Sequence, residues 1–184
     1  MTRVILVGYM GAGKTTLGKA LSKELNLSFY DLDDYIEQRY HTSINTIFNT
    51  KGEAFFRKIE QRMLHEVGEF ENIILATGGG TPCFENNMDY MNHQGETIYL
   101  KASPNIIIEH LKRGINKRPL LKDKNERERE EFILNSLAQR EPYYNKAKYT
   151  MNVNLMDSKE KIIEAADKLC KMLNLEYENE KMGH

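Results

Sequence analysis

Residues 8–15 read Gly-Tyr-Met-Gly-Ala-Gly-Lys-Thr, which satisfies G-x-x-x-x-G-K-[ST]. The flanks make this pattern informative. Residues 3–7 (RVILV) form a short continuous apolar run, and 14–25 place Leu17, Leu21 and Leu25 on one helical stripe. Strand, glycine loop and helix in that order make an anion cradle. Glycines let backbone N–H groups curl around a phosphate without Cβ obstruction, and the helix N-terminus adds partial positive charge. In such a loop Lys14 reaches the β and γ phosphates, while the Thr15 hydroxyl is a ligand for Mg²⁺. The chain is therefore expected to bind a nucleoside triphosphate.

A loop of this kind needs a strand covered on both faces, which directs the rest of the reading toward an α/β fold with a parallel sheet. Further strand candidates are 28–32, 73–77, 97–101 and 149–154, with helical patterns over 59–68, 105–113, 128–144 and 158–173. Asp157 or Ser158 is placed to cap the last helix. Two stretches break the alternation. Residues 33–60 carry more helix than a simple crossover needs, which suggests an inserted subdomain. Residues 112–130 are highly charged, contain Gly114 and Pro119, and read as a disordered loop or a functional lid. One domain over 1–175 with a polar tail over 176–184 is expected.

Composition bears on partners. Lys and Arg total 26 against 27 Asp and Glu, a formal charge of −1, so no bulk attraction to nucleic acid or an anionic membrane is expected. No apolar run approaches the roughly 20 residues of a membrane span. The opening residues lack a signal-peptide pattern, and Cys83 and Cys170 make no CxxC pair or disulfide framework. The expectation is a reduced, cytoplasmic globular protein. His41, His65, His93 and His110 show no metal-ligand spacing, and Tyr9 and Met10 read as variable loop positions.

Three features bear on what accepts the phosphate. In Asp31-Leu32-Asp33-Asp34, an extended strand would point Asp31 and Asp33 to one side, one to hold hydrated Mg²⁺ and the other to orient or deprotonate a hydroxyl. Alternatively, these acids simply cap a helix beginning at Tyr35. Gly78-Gly79-Gly80, directly after an apolar run, lets backbone approach something closely, or is a plain tight turn. Arg57, Arg118 and Arg140 suit bidentate recognition of carboxylate or phosphate, although any one surface arginine is ordinarily solvated.

Together the blocks GYMGAGKT (8–15), DLD (31–33), FRKIE (56–60), GGG (78–80), RPLL (118–121) and QREPYY (139–144) resemble the ordered pattern of shikimate kinases, over about residues 3–155. The resemblance implies a P-loop NTPase fold with a central five-stranded parallel sheet flanked by helices. It also implies a helical substrate-binding insertion (about 33–60) and a mobile lid (about 112–124). The implied reaction is ATP- and Mg²⁺-dependent phosphorylation of the shikimate 3-hydroxyl, a step toward aromatic amino acids. Gly11, Ala12, Gly13, Lys14, Thr15 and Thr16 would hold the ATP phosphates, with Thr15 on Mg²⁺ and Asp31 helping through water. Asp33 would bind the acceptor hydroxyl and act as base. Arg57 and Arg140 would clamp the substrate carboxylate, and Gly79 and Gly80 would contact ring hydroxyls through backbone N–H. Arg118 would neutralise the transferring phosphoryl group from the lid. Glu60 resembles the partner that orients Arg57; Phe48, Phe56, Pro119 and Leu120 resemble apolar walls, and Arg113 an adenine-stacking residue. Ala76 stands where many members carry a hydroxyl residue.

The nearest alternative is another small-molecule kinase on the same scaffold, such as a gluconate kinase, which gives no reason for a paired arginine clamp beside D-x-D and G-G-G. A nucleotide switch would need a D-x-x-G element that residues 73–80 lack, and the chain has no N-K-x-D motif. A monomer is expected, since no exposed apolar stripe announces an interface.

Overall fold

The computed structural model describes residues 1–112 and 125–175. Its sheet has five parallel strands: β1 (Arg3–Val7), β2 (Ser28–Asp31), β3 (Ile73–Ala76), β4 (Glu96–Lys101) and β5 (Tyr149–Asn152), in the order β2-β3-β1-β4-β5. The sheet carries α1 (Lys14–Leu25), α2 (Leu32–Tyr40), α3 (Ile44–Lys51), α4 (Glu53–Gly68), α5 (Asn87–Gln94), α6 (Pro104–Lys112), α7 (Glu126–Tyr144) and α8 (Lys159–Met172). The expected five-stranded parallel architecture is present. The expectations for Arg113, Arg118, Pro119, Leu120, the lid and the 176–184 tail fall outside the described residues.

The topology explains where a ligand can bind. β1 is central, with β3 on one side and β4 on the other; the crossover from β1 runs past β3 to β2 and that from β3 runs past β1 to β4, so these neighbouring strands are left in opposite directions. That divergence opens a crevice beyond the strand ends. Register aligns the edges: Leu6 pairs with Ala76, and Asp31 pairs with Ala76 from the other side. The phosphate loop, the aspartates after β2 and the three glycines after β3 therefore emerge along one rim.

Burial follows the sequence pattern. Val4, Ile5, Leu6 and Val7 of β1 are sealed by helices, and Leu17, Leu21 and Leu25 form the predicted inward stripe of α1. Each fully buried side chain of this size contributes about 1.5–3 kcal/mol. Helix starts are chemically marked. Asn125 and Glu128 close a capping box on α7, and Ser158 caps α8 through Lys161 N–H.

One boundary corrects the sequence reading. Asp31 and Asp33 do not share a strand, because β2 ends at Asp31 and α2 begins at Leu32. Asp31 Oδ1 accepts the Asp33 N–H at 3.1 Å, which satisfies a free helix amide and turns the chain. The capping alternative was right in kind, three residues earlier than expected.

Gly8 shows how tightly the loop is built. Its φ is +144°, and a Cβ there would lie 2.8 Å from the Leu100 carbonyl oxygen of β4. Gly52 also has positive φ, +80°, but with nothing within 4 Å of such a Cβ. Gly8→Ala should cost about 2–4 kcal/mol, lowering Tm by roughly 5–15 °C. Gly52→Ala should cost only about 1 kcal/mol, a Tm loss of roughly 2–4 °C. Calorimetry that finds equal losses would show that the Leu100 contact does not constrain the loop.

Candidate active site

A cleft of about 800 Å³ runs along the carboxyl rim of the sheet. Its walls include Gly11, Gly13, Lys14, Thr15, Thr16, Asp31, Asp33, Arg57, Gly79, Gly80 and Arg140, residues spread over most of the sequence. Of the site residues named from the sequence and described here, Ala12 alone stays outside. It is buried, and its N–H donates to the Tyr9 carbonyl at 3.2 Å, closing the turn of the loop.

At the phosphate-loop end, Gly13 is the left-handed residue that opens α1, with φ +92°. Lys14 Nζ donates to the carbonyls of Gly8 at 2.7 Å and Tyr9 at 2.9 Å, so the cation arches back over its own loop. Thr15 Oγ1 donates to Asp31 Oδ2 at 2.7 Å. Both oxygens of Asp31 are thus occupied: one ties to α1, the other caps α2. His110 is no bystander, since its Nδ1 lies 2.8 Å from the Gly11 carbonyl oxygen and braces the crest of the loop from α6.

At the other end, Glu60 is the pivot. It is 1% exposed, with Oε2 accepting from Arg57 Nη1 at 2.7 Å and Oε1 accepting from Thr81 Oγ1 at 2.7 Å. Arg57 also pairs with Glu53 at 3.3 Å and lies over the Phe56 ring, 5.3 Å from its centroid. Burial lowers the Arg57 pKa, but Glu60 and Glu53 more than offset it and hold the guanidinium charged. Phe48 and Phe56 pack with centroids 4.6 Å apart and form an apolar wall. Arg140 reaches in from α7, over the face of Tyr9 at 5.4 Å.

The three glycines have a steric cause. A Cβ on Gly78 would lie 2.8 Å from Glu60 Oε1 and 3.1 Å from Asp33 Oδ1. On Gly79 it would sit 3.4 Å from Arg140 Nη1, and on Gly80 it would fall 2.6 Å from Arg57 Nη1. None of the three has positive φ, so the constraint is space rather than backbone conformation. The glycines let acids and arginines from three helices, α2, α4 and α7, close on a single turn.

Crowding has an electrostatic consequence. Burial pushes the Asp33 carboxyl up to about 7, and the neighbouring charges of Asp31 and Glu60 push in the same direction, against the opposing pull of Lys14 and Arg57. A carboxylate held near neutrality can take a proton from a hydroxyl and release it again. Asp33 sits in the first turn of α2, pointing across the cleft toward Gly78.

Sequence reasoning missed several contributors. Tyr9, read as a variable loop position, is 1% exposed and underlies Arg140. Tyr144 is fully buried beneath the glycine turn and donates to the Gly79 carbonyl. Thr81 fixes Glu60. Thr77, next to Ala76, lines the cleft with its hydroxyl donating to the Leu6 carbonyl at 3.1 Å.

A phosphate loop facing a compartment of paired acids and arginines defines a P-loop phosphotransferase acting on a small acceptor. The chain belongs to the shikimate kinase family, whose family model matches residues 10–174. A shikimate kinase of Phocaeicola vulgatus is 47% identical over 95% of this chain and 99% of its own length. The crystal structure of shikimate kinase from Bacteroides thetaiotaomicron superposes with a TM-score of 0.92 at 44% identity, covering 95% of this chain and 99% of that one. Shikimate kinase from Acinetobacter baumannii, solved in complex with shikimate, superposes at 0.82 with 30% identity, covering 95% and 93%. These relatives do not favour the gluconate kinase alternative.

The Asp33 shift sets a stability signature. Because the folded-state value lies above the ordinary 3.8, the folded protein binds this proton more tightly than the unfolded chain. Asp33 therefore subtracts stability as pH rises from about 4 to 7, and the deficit is constant above that. Replacing it by Asn in Asp33→Asn should raise Tm at pH 8, with the gain shrinking steadily toward pH 4. A gain independent of pH would refute the shift.

Proposed function

We propose that this protein transfers the γ-phosphoryl group of ATP to the 3-hydroxyl of shikimate, giving shikimate 3-phosphate and ADP. The observation that carries the reading is Asp33: a buried carboxyl raised to about 7, between the phosphate loop and the Arg57–Glu60 pair. Asp33 takes the hydroxyl proton as the acceptor oxygen forms its bond to phosphorus and the bond to the ADP oxygen breaks.

Binding divides along the cleft. The loop from Gly11 to Gly13, with Lys14 and Thr16, holds the nucleotide phosphates, Lys14 swinging from the Gly8 and Tyr9 carbonyls to the phosphate oxygens. Ala12 serves that loop by closing its turn. Arg57 and Arg140 take the acceptor carboxylate, and the N–H groups of Gly79 and Gly80 take its ring hydroxyls. Arg57 is held by Glu60 and Glu53, so little ordering is left to do when the acceptor arrives. The wall of Phe48 and Phe56 covers the apolar ring carbons.

The Thr15 hydroxyl and Asp31 carboxylate, 2.7 Å apart, are hard oxygen donors of the kind that fit Mg²⁺. Thr15 would hold the ion directly and Asp31 through water. When bound, it neutralises charge on the transferring phosphate. Such an ion keeps most of its shell as water and phosphate oxygen, which suits two protein groups rather than a dedicated cage.

We also assign residues of about 33–60, spanning α2, α3 and the start of α4, to acceptor binding. Arg118 and the lid of about 112–124 are assigned from sequence to charge neutralisation and water exclusion. Cys83 and Cys170, neither of them in a disulfide, suit a reducing cytoplasm, and a monomer is the working form we propose. Among the described residues no helix is long and apolar enough to cross a membrane.

Coupled ADP release should depend on shikimate and not on gluconate or nucleosides. Its kcat/KM for shikimate should fall about tenfold per pH unit well below pH 7, as the base becomes protonated. Brisk turnover of another acceptor without shikimate turnover would overturn the reading. A kcat/KM flat from pH 5 to 8 would overturn Asp33 as its base.

A further inference from the structure

Beneath the glycine turn lies a phenol that no part of the reaction above uses. Tyr144 closes the last turn of α7, fully buried, its ring packed on Tyr99 with centroids 5.2 Å apart. Its hydroxyl donates to the Gly79 carbonyl at 2.6 Å, and the cationic guanidinium of Arg140, one helical turn earlier, is close enough to pull on its proton. Burial holds this phenol far above its ordinary range, so it stays protonated and keeps its hydrogen bond to Gly79.

That bond constrains a group on the other side of the peptide. The Gly79–Gly80 unit is planar and trans, so its C=O and N–H point in opposite directions. Tyr144 holds the carbonyl toward the core. Gly79 and Gly80 both line the cleft, whereas Tyr144 does not. The Gly80 N–H is thereby turned to the cleft. The flanking carbonyls are held by backbone bonds, Gly78 accepting from Thr81 N–H at 3.2 Å and Gly80 from Cys83 N–H at 3.0 Å, whereas the Gly79 carbonyl is held by Tyr144.

The same hydroxyl lies near Arg140. The guanidinium lies over the face of Tyr9, 5.4 Å from its centroid, with the Tyr144 hydroxyl within its electrostatic reach. We propose that Tyr144 is a positioning residue that sets the Gly80 N–H and the Arg140 guanidinium relative to one another. One phenol then fixes the spacing at which a carboxylate and a ring hydroxyl of the same acceptor are recognised. This inference rests on the acceptor assignment above, and it adds a geometric cause for selectivity that Arg140 and the glycines do not supply alone.

Tyr144→Phe keeps the ring on Tyr99 and removes only the hydroxyl. Loss of the hydrogen bond to the Gly79 carbonyl, with release of the peptide and of the oxygen beside Arg140, should raise KM for shikimate about tenfold. KM for ATP should stay within twofold. Tyr99→Phe, which removes a neighbouring buried hydroxyl 3.5 Å from Glu141 Oε1, should leave both constants within twofold. Calorimetric titration of shikimate onto the folded variant, beside its Tm, separates binding from any loss of folded protein. Unchanged shikimate affinity, or parallel loss for both substrates tracking Tm, would overturn the role of Tyr144 alone. Wild-type protein without shikimate turnover would overturn the functional reading and this assignment with it.

Discussion

Glu60 carries a carboxylate into a site 1% exposed to solvent, and its two oxygens are spoken for by Arg57 and Thr81. Removing one partner of such a buried pair typically costs about 3–5 kcal/mol, because the remaining charge has no water to return to. This anchor joins α4 to the turn after β3. It holds Arg57 at the cleft wall, brings carboxylate against the space where Gly78 lacks a Cβ, and contributes to the repulsion that lifts Asp33. The geometry of this end of the cleft depends on it more than on any single apolar contact.

The phosphate loop and the sheet were legible because their determinants are local. RVILV needs burial on both faces, and the glycines of 8–13 admit little but a tight loop before a helix. The aspartates were half legible. Alternation predicted that Asp31 and Asp33 share a strand face, but Asp31 captures the amide two residues on, and α2 starts at once. They still converge on one cleft, from a strand end and a first helical turn. Helix α5 (Asn87–Gln94) is short and mostly polar, with only Met88 and Met91 at helical spacing to mark its buried side. The start of α4 lay in a glycine-flanked stretch whose aromatic pair divides, Phe56 buried between core and cleft and Phe55 exposed.

Tyr9, Tyr144 and Thr81 were invisible for a different reason. Each acts through a partner far away in sequence, and nothing in a tyrosine's immediate neighbours says that it will lie under an arginine or beneath a glycine turn. Gly78 to Gly80 did signal close approach. What approaches is the protein's own Glu60, Asp33, Arg140 and Arg57. Ala12 was the reverse case, a loop residue whose N–H is spent inside the loop. The net charge of −1 proved compatible with a highly polarised cleft, since cations and acids from distant segments cancel in the total and meet in space.

The central claim is that burial, with Asp31 and Glu60 close by, turns Asp33 into a base suited to neutral pH. It is tested most directly by titrating ¹³C-labelled aspartate carboxyls by NMR in the ligand-free protein, with Asp33 assigned by its absence in Asp33→Asn. The account predicts a midpoint near 7 for this carboxyl. A midpoint near the ordinary aspartate value of about 4 would contradict it.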